Sequence, residues 1–201
     1  LDSINVKESY KIVLLDHKDK LKKIAFKDVK LVRHKYFRDE RGDFKKIFCK
    51  DNHSKYLKKE IKQINISTSK RTGTVRGFHY KSINKDEYKI VTCLKGKIYD
   101  VIIDLRKSSK TFLKFFSIEL SDKDNHSLLI PRGFAHGFQS LIPNSQVLYC
   151  HTNIYKPSHE KGINVKDNYF NIVWPKKISV ISEKDLSLPN IRDIDEFKKY
   201  L

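Results

Sequence analysis

From about residue 25 onward, the chain consists of short segments rich in β-branched and aromatic residues, separated by Gly, Pro, Asn and Asp. Residues of the first kind fit the pleated, half-buried surface of a sheet, whereas the separating residues favour turns. The segments with this composition are 75–80, 88–94, 97–105, 112–120, 127–130, 134–141 and 146–155. Many short strands with turn signals between them predict an all-β sandwich or barrel of the jelly-roll type.

Helical periodicity is weak in this sequence. The segment 50–62 is one candidate helix, and 193–201 is another because Ile194, Phe197 and Tyr200 recur every three residues along it. Residues 1–23 are polar and charged around one short apolar run, so we interpret them as an N-terminal arm or an additional strand. Residues 24–201 contain no repeat and no linker, and we interpret them as one domain, a barrel with short peripheral helices.

The charge of the chain is strongly positive. Its 201 residues include 42 Lys and Arg against 24 Asp and Glu, a net charge of +18. Such a charge could neutralise nucleic-acid phosphates, but the basic residues are scattered, and no zinc finger, RNA-binding aromatic motif or Gly-rich tail accompanies them. We therefore interpret them mainly as a solvated surface and predict no nucleic-acid partner. The same positive field would attract a small anionic ligand such as a nucleoside diphosphate.

The sequence also bears on the cellular compartment. No apolar run approaches the ~18 residues expected of a membrane span, and the N-terminus lacks a signal-peptide core. Cys49, Cys93 and Cys150 are far apart and include no Cys-x-x-Cys pair, so they indicate packed, reduced thiols rather than a zinc site or a disulfide framework. We expect a cytoplasmic protein with no membrane partner.

Two clusters hold more polar and glycine residues than a plain β-barrel needs. The first is residues 74–80, Thr-Val-Arg-Gly-Phe-His-Tyr, with Lys89 ten residues after His79. On a regular strand Arg76 shares a face with Phe78 and Tyr80, and His79 lies on the other face, unless Gly77 marks a β-bulge. The second is residues 130–138, where glycines at 133 and 137 flank His136. Glycines so placed indicate a close approach of backbone to some other group.

A metal site is the first chemical interpretation to test for histidines in a β-barrel. Small barrels often bind a metal through a His-x-His pair with a Glu a few residues later, but position 81 is Lys rather than His. His136 has no second histidine in its own strand. Three neutral ligands are therefore not evident, and we expect no catalytic metal and no cofactor.

A series of short motifs then follows in a fixed order along the chain. They are Asp39-Glu40-Arg41-Gly42, Gln63-x-Asn65, Arg76-Gly77-Phe78-His79-Tyr80, Ile130-Pro131-x-Gly133-Phe134-Ala135-His136-Gly137-Phe138, Leu148-Tyr149, Pro157-x-x-Glu160, Trp174-Pro175 and Ser182-x-Lys184-Asp185. Together they resemble the dTDP-4-dehydrorhamnose 3,5-epimerase family from about residue 24 to about residue 190. The resemblance implies a cupin-type jelly roll that forms a homodimer by exchanging strands, and epimerisation at C3 and/or C5 of a nucleotide-linked 4-keto-6-deoxyhexose.

The reaction of that family removes a proton beside a ketone and returns it on the opposite face. It requires a base, an acid on the other face, and a cation for the enolate oxygen. The resemblance implies that His79 is the base, Asp185 orients it, Lys89 faces the enolate and Tyr149 is the acid. Taken singly these residues indicate little: Tyr149 would be a core aromatic, Asp185 a helix cap and Lys89 a surface cation. Their joint occurrence favours the catalytic interpretation.

The resemblance also implies a set of substrate-binding residues around the nucleotide and sugar. Arg41 and Arg76 would bind phosphate oxygens through their forked guanidinium groups, His136 would line the sugar pocket, and Tyr155 would stack on the base across the dimer interface. By itself, Arg41 is equally typical of a turn and Tyr155 of a strand end. The whole set is Arg41, Gln63, Asn65, Arg76, His136, Tyr155, Glu160 and Lys184.

Three positions depart from the family pattern, and they leave the exact substrate open. Lys46 stands where an acidic residue is frequent, Ile66 where His follows Asn, and Lys81 where Gln is frequent. The alternatives are a C3-only or C5-only epimerase, a keto-sugar isomerase, a non-catalytic sugar-nucleotide-binding cupin and, last, a nucleic-acid-binding barrel. We expect the product to supply deoxysugar for a surface polysaccharide or a glycosylated metabolite.

Overall fold

The computed structural model describes residues 26, 28–50, 57, 59–82 and 87–201, together with two short N-terminal strands. Numbered in chain order, the strands are β1 (Leu14–Leu15), β2 (Leu21–Lys22), β3 (Lys30–Arg33), β4 (Lys35–Asp39), β5 (Gly42–Lys46), β6 (Gln63–Ser69), β7 (Val75–Lys81), β8 (Lys89–Lys95), β9 (Lys97–Asp104), β10 (Phe115–Ser121), β11 (His126–Ile130), β12 (Phe134–Ser140), β13 (Ser145–His151) and β14 (Glu160–Gly162). The described helices are short: the α-helices Glu183–Leu186 and Asp195–Lys198, and the 3₁₀ turns Pro157–His159 and Ile191–Asp193.

Ten of these strands form two antiparallel five-stranded sheets, while β1 pairs with β2 and β4 pairs with β5 as separate hairpins. The first has the order β10-β9-β12-β7-β14, and the second has the order β3-β11-β8-β13-β6. One buried apolar cluster draws side chains from both sheets, such as Ile98 and Phe138 from the first and Val91 and Val147 from the second. The two sheets therefore face each other across a shared core, which confirms the predicted jelly roll.

The outer face of the first sheet is covered by the C-terminal segment. Phe78, Tyr80 and Val101 on this face pack with Ile163 and Phe197 from the segment that follows β13. Because both faces of β9 are thus buried, apolar residues occur on both of its faces, for example Ile98 and Ile102 on one and Val101 and Ile103 on the other. The one-turn helix Glu183–Leu186 lies beside β7, where Asp185 bonds to Gly77 and His79.

Most of the sequence-based strands are confirmed. Each of the seven predicted segments contains a strand, although 112–120 begins only at Phe115 and 146–155 ends at His151. Strands β3 to β6 and β14 were not predicted, because polar and charged residues interrupt or replace an apolar pattern there. The C-terminal helix is confirmed but has a single turn. Of the candidate helix at 50–62, Lys50 is helical, residues 51–56 and 58 lie outside the described residues, and 57 and 59–62 are not helical.

A β-bulge in β7 decides which side chains face the interior. His79 pairs with His136 and Arg76 with Phe138, so Gly77 and Phe78 together lie opposite Gly137. Gly77 has φ +117°, and a Cβ there would lie 2.6 Å from the Cα atom of Gly137. The bulge reverses the alternation of the strand, so Arg76 and His79 line the same cleft. The expectation of regular alternation in β7 is therefore wrong, and the alternative, a β-bulge at Gly77, is confirmed.

Two remaining expectations concern the cysteines and the membrane. Cys93 and Cys150 are buried in the apolar clusters of the barrel. Burial raises the pKa of the Cys93 thiol to about 12, which keeps it protonated and inert.

In the part of the chain that the structure describes, no helix has the length and apolarity needed to span a membrane.

Candidate active site

A cleft of about 370 Å³ opens at one end of the barrel, between the two sheets. Its walls come from β6, β7, β8, β12 and β13, and its rim from residues 153–160 and 182–185. Every residue predicted for the site except Arg41 lines it: Gln63, Asn65, Arg76, His79, Lys89, His136, Tyr149, Tyr155, Glu160, Lys184 and Asp185. The fold thus brings together residues that are spread over more than half of the sequence.

His79 and Asp185 form a hydrogen-bonded pair on the first sheet. The Nε2 atom of His79 lies 2.7 Å from Oδ1 of Asp185, and Oδ2 accepts the backbone N–H of Gly77 at 3.1 Å. Burial alone would raise the pKa of Asp185, but the hydrogen bonds from His79, Gly77 and Ser182 hold it below its usual range. An ionised carboxylate accepts the Nε2–H proton, so this tautomer leaves Nδ1 of the imidazole as the basic atom.

Tyr149 approaches from β13 on the opposite sheet. Its hydroxyl lies 2.9 Å from the Oγ atom of Ser67, and its ring contacts His136 edge to face, with centroids 6.4 Å apart. Burial raises the pKa of Tyr149, so the phenol stays protonated at neutral pH. The residue is therefore a neutral proton donor that lines the cleft from the sheet opposite His79.

Lys89 lies at the start of β8, where it pairs in register with His151. Burial lowers the pKa of its ammonium group, and the nearby carboxylates of Glu87, Glu160 and Asp100 oppose that shift. A buried cation of this kind can stabilise an oxyanion far more strongly than a solvated one.

His136 makes a second histidine–carboxylate pair, deeper in the barrel. Its Nε2 atom lies 2.8 Å from Oδ2 of Asp100, and both side chains are almost fully buried. Burial lowers the pKa of His136. Asp100 was not predicted, although the sequence offers a signal: it lies between Ile98 and Ile102 at a position that the alternation of β9 assigns to the core.

Polar and basic side chains occupy the mouth of the cleft. The guanidinium of Arg76 is exposed and donates to the Thr68 carbonyl at 3.2 Å. The Gln63 amide donates to Asn65 at 3.1 Å, and its oxygen accepts the backbone N–H of Tyr155 at 2.7 Å. At the rim, the Arg76 guanidinium, the Gln63 and Asn65 amides and the Tyr155 ring can therefore contact a ligand.

Arg41 is the exception among the predicted residues. It lies on the turn between β4 and β5, outside the cleft of its own chain, and its side chain is 90% exposed. Its guanidinium pairs with Asp39 two residues earlier, at 2.5 Å. Within one chain, therefore, Arg41 has the turn position that its local sequence suggests, and the structure does not bring it to the other site residues.

Sequence reasoning also missed an ionic cluster on the wall next to Lys89. The Lys81 ammonium lies 2.8 Å from Glu87 and 3.4 Å from Glu160, and Glu87 lies 3.4 Å from His151. Glu160 belongs to the motif series and Lys81 is one of the departures from the family pattern, but Glu87 and His151 carry no local signal, and nothing in the sequence shows that the four form one cluster. Among the described residues, no group of three or more His, Cys, Asp or Glu side chains could hold a metal ion. That the reaction needs no metal stays a prediction.

Comparison with known proteins gives a consistent result. Residues 23–193 match the family model described as dTDP-4-dehydrorhamnose 3,5-epimerase. The enzyme of that name from Shigella flexneri is 35% identical over 87% of this chain and 97% of its own length. The crystal structure of the Bacillus anthracis enzyme, with TDP and PPi bound, is 36% identical with a TM-score of 0.79, over 83% of this chain and 96% of that one.

A further solved structure belongs to a 3'-monoepimerase from Streptomyces bikiniensis in complex with dTDP-quinovose. It is 25% identical to this chain with a TM-score of 0.75, and the match covers 81% of this chain and 83% of that one. The fold described above is thus similar both to an enzyme named for two positions and to one named for a single position.

Proposed function

Because the chain belongs to the dTDP-4-dehydrorhamnose 3,5-epimerase family, it is an isomerase that epimerises C3 and/or C5 of a nucleotide-linked 4-keto-6-deoxyhexose, and we propose which of its residues perform each step. The observation that carries the proposal is that a histidine–carboxylate pair and a protonated tyrosine line one cleft from opposite sheets, with a buried lysine in its wall. A proton can therefore leave one face of a bound sugar and return on the other.

In the first step, Nδ1 of His79 takes the proton from the carbon next to the C4 ketone. The electron pair of the broken C–H bond forms the enolate, and Lys89 stabilises the negative charge on its oxygen. Asp185 stabilises the imidazolium that results, because its carboxylate already accepts the Nε2–H bond.

In the second step, the Tyr149 hydroxyl donates its proton to the same carbon from the opposite face, and the ketone re-forms. The donor begins the step neutral, because burial raises its pKa. The Ser67 hydroxyl, 2.9 Å away, can donate to the phenolate oxygen that remains. Solvent then returns a proton to Tyr149 and accepts the proton that His79 removed. The configuration at the carbon is then inverted.

The nucleotide occupies the mouth of the cleft in this proposal. Arg76 and Lys184 bind the diphosphate, while Gln63, Asn65 and Tyr155 bind the nucleoside. His136, deeper in the barrel, and Glu160, at the rim, line the sugar pocket. The net charge of +18 supports the assignment, because it attracts a doubly charged diphosphate to the cleft. We assign thymidine as the base on the strength of the relatives named for dTDP sugars.

We also propose that the protein acts as a homodimer. The β4–β5 hairpin exposes Phe37 and Phe44 (57% and 63% of their surface), although their rings pack together at 6.3 Å. Strand β6, at the edge of the second sheet, exposes Ile64 and Ile66 beside the cleft mouth. Seating the hairpin of a second copy on this edge covers both apolar surfaces. It would also bring Arg41 to the cleft of the other chain.

A cytoplasmic location completes the proposal. Cys93 and Cys150 are buried thiols that form no disulfide, as expected in a reducing compartment. The product would then be available for transfer to a polysaccharide or a metabolite.

The reaction is tested by incubating the protein with dTDP-4-keto-6-deoxyglucose in heavy water containing excess chelator. NMR then locates the deuterium in the sugar. We expect deuterium with inversion at C3 and C5, whereas label at one carbon only would identify a single-position epimerase. Binding of the sugar nucleotide without any deuterium uptake would contradict catalysis and identify a non-catalytic sugar-nucleotide-binding cupin.

A further inference from the structure

Lys81 follows the bulge of β7 and lies on the cleft wall, two residues after His79. Its side chain is only 8% exposed, which is unusual for a lysine in a protein with so much solvated positive charge. The ammonium lies 2.8 Å from Glu87, 3.2 Å from the carbonyl oxygen of Ile154 and 3.4 Å from Glu160. A buried lysine with three oxygen partners is held in one place.

Glu87 lies between this lysine and Lys89, the cation proposed to stabilise the enolate oxygen. It precedes Lys89 by two residues, its side chain is 10% exposed, and Nδ1 of His151 lies 3.4 Å from its carboxylate. Burial alone would raise the pKa of Glu87, but the bonds and charges of His151, Lys89 and Lys81 hold it below its usual value, so the group is ionised. Within the described residues, Glu87 and Glu160 form their lysine ion pairs with Lys81 rather than with Lys89.

We propose that Lys81 is a positioning residue: by pairing with Glu87 and Glu160, it leaves the Lys89 ammonium available for the enolate oxygen. The inference rests on the proposed function of Lys89 and adds to it a residue that never touches the substrate.

The physical reason is the local balance of charge. Without Lys81, the buried carboxylate of Glu87 and the partly buried one of Glu160 would stand near Lys89 without their lysine partner. The Lys89 ammonium would then pair with one of them instead of with the ligand. Those carboxylates would also repel the negative charge that develops on the enolate, and such repulsion is strong where water is excluded. Neither effect changes the mouth of the cleft, where the nucleotide binds.

The test compares Lys81→Gln with the double variant Lys81→Gln/Glu87→Gln. In the single variant Glu87 loses its cation, so we expect kcat to fall about tenfold, less than the ~10²–10³-fold loss typical of deleting an oxyanion donor itself. In the same variant, KM and the affinity for dTDP should stay within about twofold of their wild-type values. In the double variant the buried carboxylate of Glu87 is also neutral, and we expect kcat to return to within about threefold of the wild type. Lys97→Gln, which breaks the exposed Lys97–Glu119 pair on the first sheet, is the matched control and leaves kcat unchanged.

The pH profile provides a readout that loss of structure would not move in this way. The charged groups nearest Lys89 are Glu87, Glu160, Asp100 and Lys81, and the cleft also holds His79, His136, His151 and Asp185. The charge of Lys81 lowers the pKa of Lys89, so removing it raises that pKa. The fall of kcat at alkaline pH, which reports loss of the Lys89 proton, should therefore move to higher pH in Lys81→Gln. In the double variant it should return towards its wild-type position.

The outcomes separate this inference from the proposed function. A wild-type protein that shows no deuterium exchange contradicts the function itself. If the wild type exchanges but Lys81→Gln keeps full kcat, or raises KM alone, Lys81 has no positioning role. A double variant as slow as the single variant also overturns the inference. Should Lys81→Gln fail to fold, the double variant decides: near-wild-type kcat supports the charge balance, and a tenfold loss contradicts it.

Discussion

The Nε2 atom of His79 lies 2.7 Å from Oδ1 of Asp185, although 106 positions separate the two residues in the sequence. The other carboxylate oxygen accepts the backbone N–H of Gly77, which forms the bulge that turns His79 into the cleft. One carboxylate therefore fixes both the imidazole and the backbone that presents it. The Asp185 backbone N–H in turn donates to the Ser182 side chain at the start of the helix Glu183–Leu186.

Replacing Asp185 by Asn tests this dual role. The amide removes the charge that stabilises the imidazolium, so we expect kcat to fall by ~10²–10⁴-fold, with KM changed little.

Because the folded protein holds the pKa of Asp185 below its unfolded value, the residue adds stability that is present above about pH 4 and is lost as pH falls through the folded pKa. Urea unfolding at neutral and acid pH should show a wild-type advantage that shrinks in acid. Asp195→Asn, at an exposed Asp195–Lys198 pair, is the control and keeps full kcat. Full activity in Asp185→Asn would remove the carboxylate from the mechanism.

The bulge itself is tested by Gly77→Ala, with Gly42→Ala as its control. The two glycines have nearly the same φ, +117° and +118°, so the backbone strain of a side chain, about 1–3 kcal/mol, is common to both. Only at Gly77 would the new Cβ collide with backbone, 2.6 Å from Gly137, whereas at Gly42 it meets nothing within 4 Å. The free energy of unfolding should fall further in Gly77→Ala than in Gly42→Ala. Equal losses of unfolding free energy in the two variants would mean that β7 can shift away from Gly137 without further destabilising the protein.

Arg76 tests the placement of the diphosphate. Removing its guanidinium should weaken dTDP binding by about 1.5–3 kcal/mol, the value of a charge-assisted hydrogen bond. Calorimetry with dTDP and with the sugar nucleotide should give parallel losses for Arg76→Ala, and no loss for Arg71→Ala, an exposed arginine that does not line the cleft. If only the sugar nucleotide binds more weakly, Arg76 contacts the sugar rather than the phosphates.

The dimer proposal predicts that the hairpin phenylalanines are buried in solution. Each buried phenylalanine contributes about 1.5–3 kcal/mol, so Phe37→Ser/Phe44→Ser should sediment as a monomer. Its affinity for the sugar nucleotide should fall, because Arg41 on the same hairpin no longer reaches the cleft of the other chain. Val173→Ser, at an exposed apolar residue of the C-terminal segment, should leave the assembly unchanged. A wild-type protein that sediments as a monomer and binds the sugar nucleotide fully would contradict the proposal.

The fold and most of the site were predictable from the sequence because their signals are local. Segments of β-branched and aromatic residues between turn residues indicated the strands, and the motif series, through its family resemblance, indicated residues that the structure brings into one cleft. The β7 bulge remained open, since Gly77 is compatible with either a regular or a bulged strand until its register with Gly137 is known.

The charge pairs inside the barrel could not be predicted in the same way. Asp100 and His136 come together only when β9 and β12 pair, and Lys81 meets Glu87 only through the path of the chain between β7 and β8. A charged residue in a strand is usually a solvated one, and the sequence alone does not show which charged side chains are buried. Asp100 carries the clearest signal, because its neighbours Ile98 and Ile102 indicate an inward-facing position.

The most direct test of the account is the fate of solvent deuterium in Tyr149→Phe. With His79 and Lys89 intact, the proton is still removed, and the imidazole returns deuterium to the face from which the proton left. NMR of the recovered dTDP-4-keto-6-deoxyglucose should show deuterium next to the ketone with retained configuration, while epimer formation falls by ~10²–10⁴-fold. His79→Ala, measured alongside, should lose exchange and epimerisation together. Exchange and inversion that fall equally in Tyr149→Phe would contradict the assignment of Tyr149 as the acid on the opposite face.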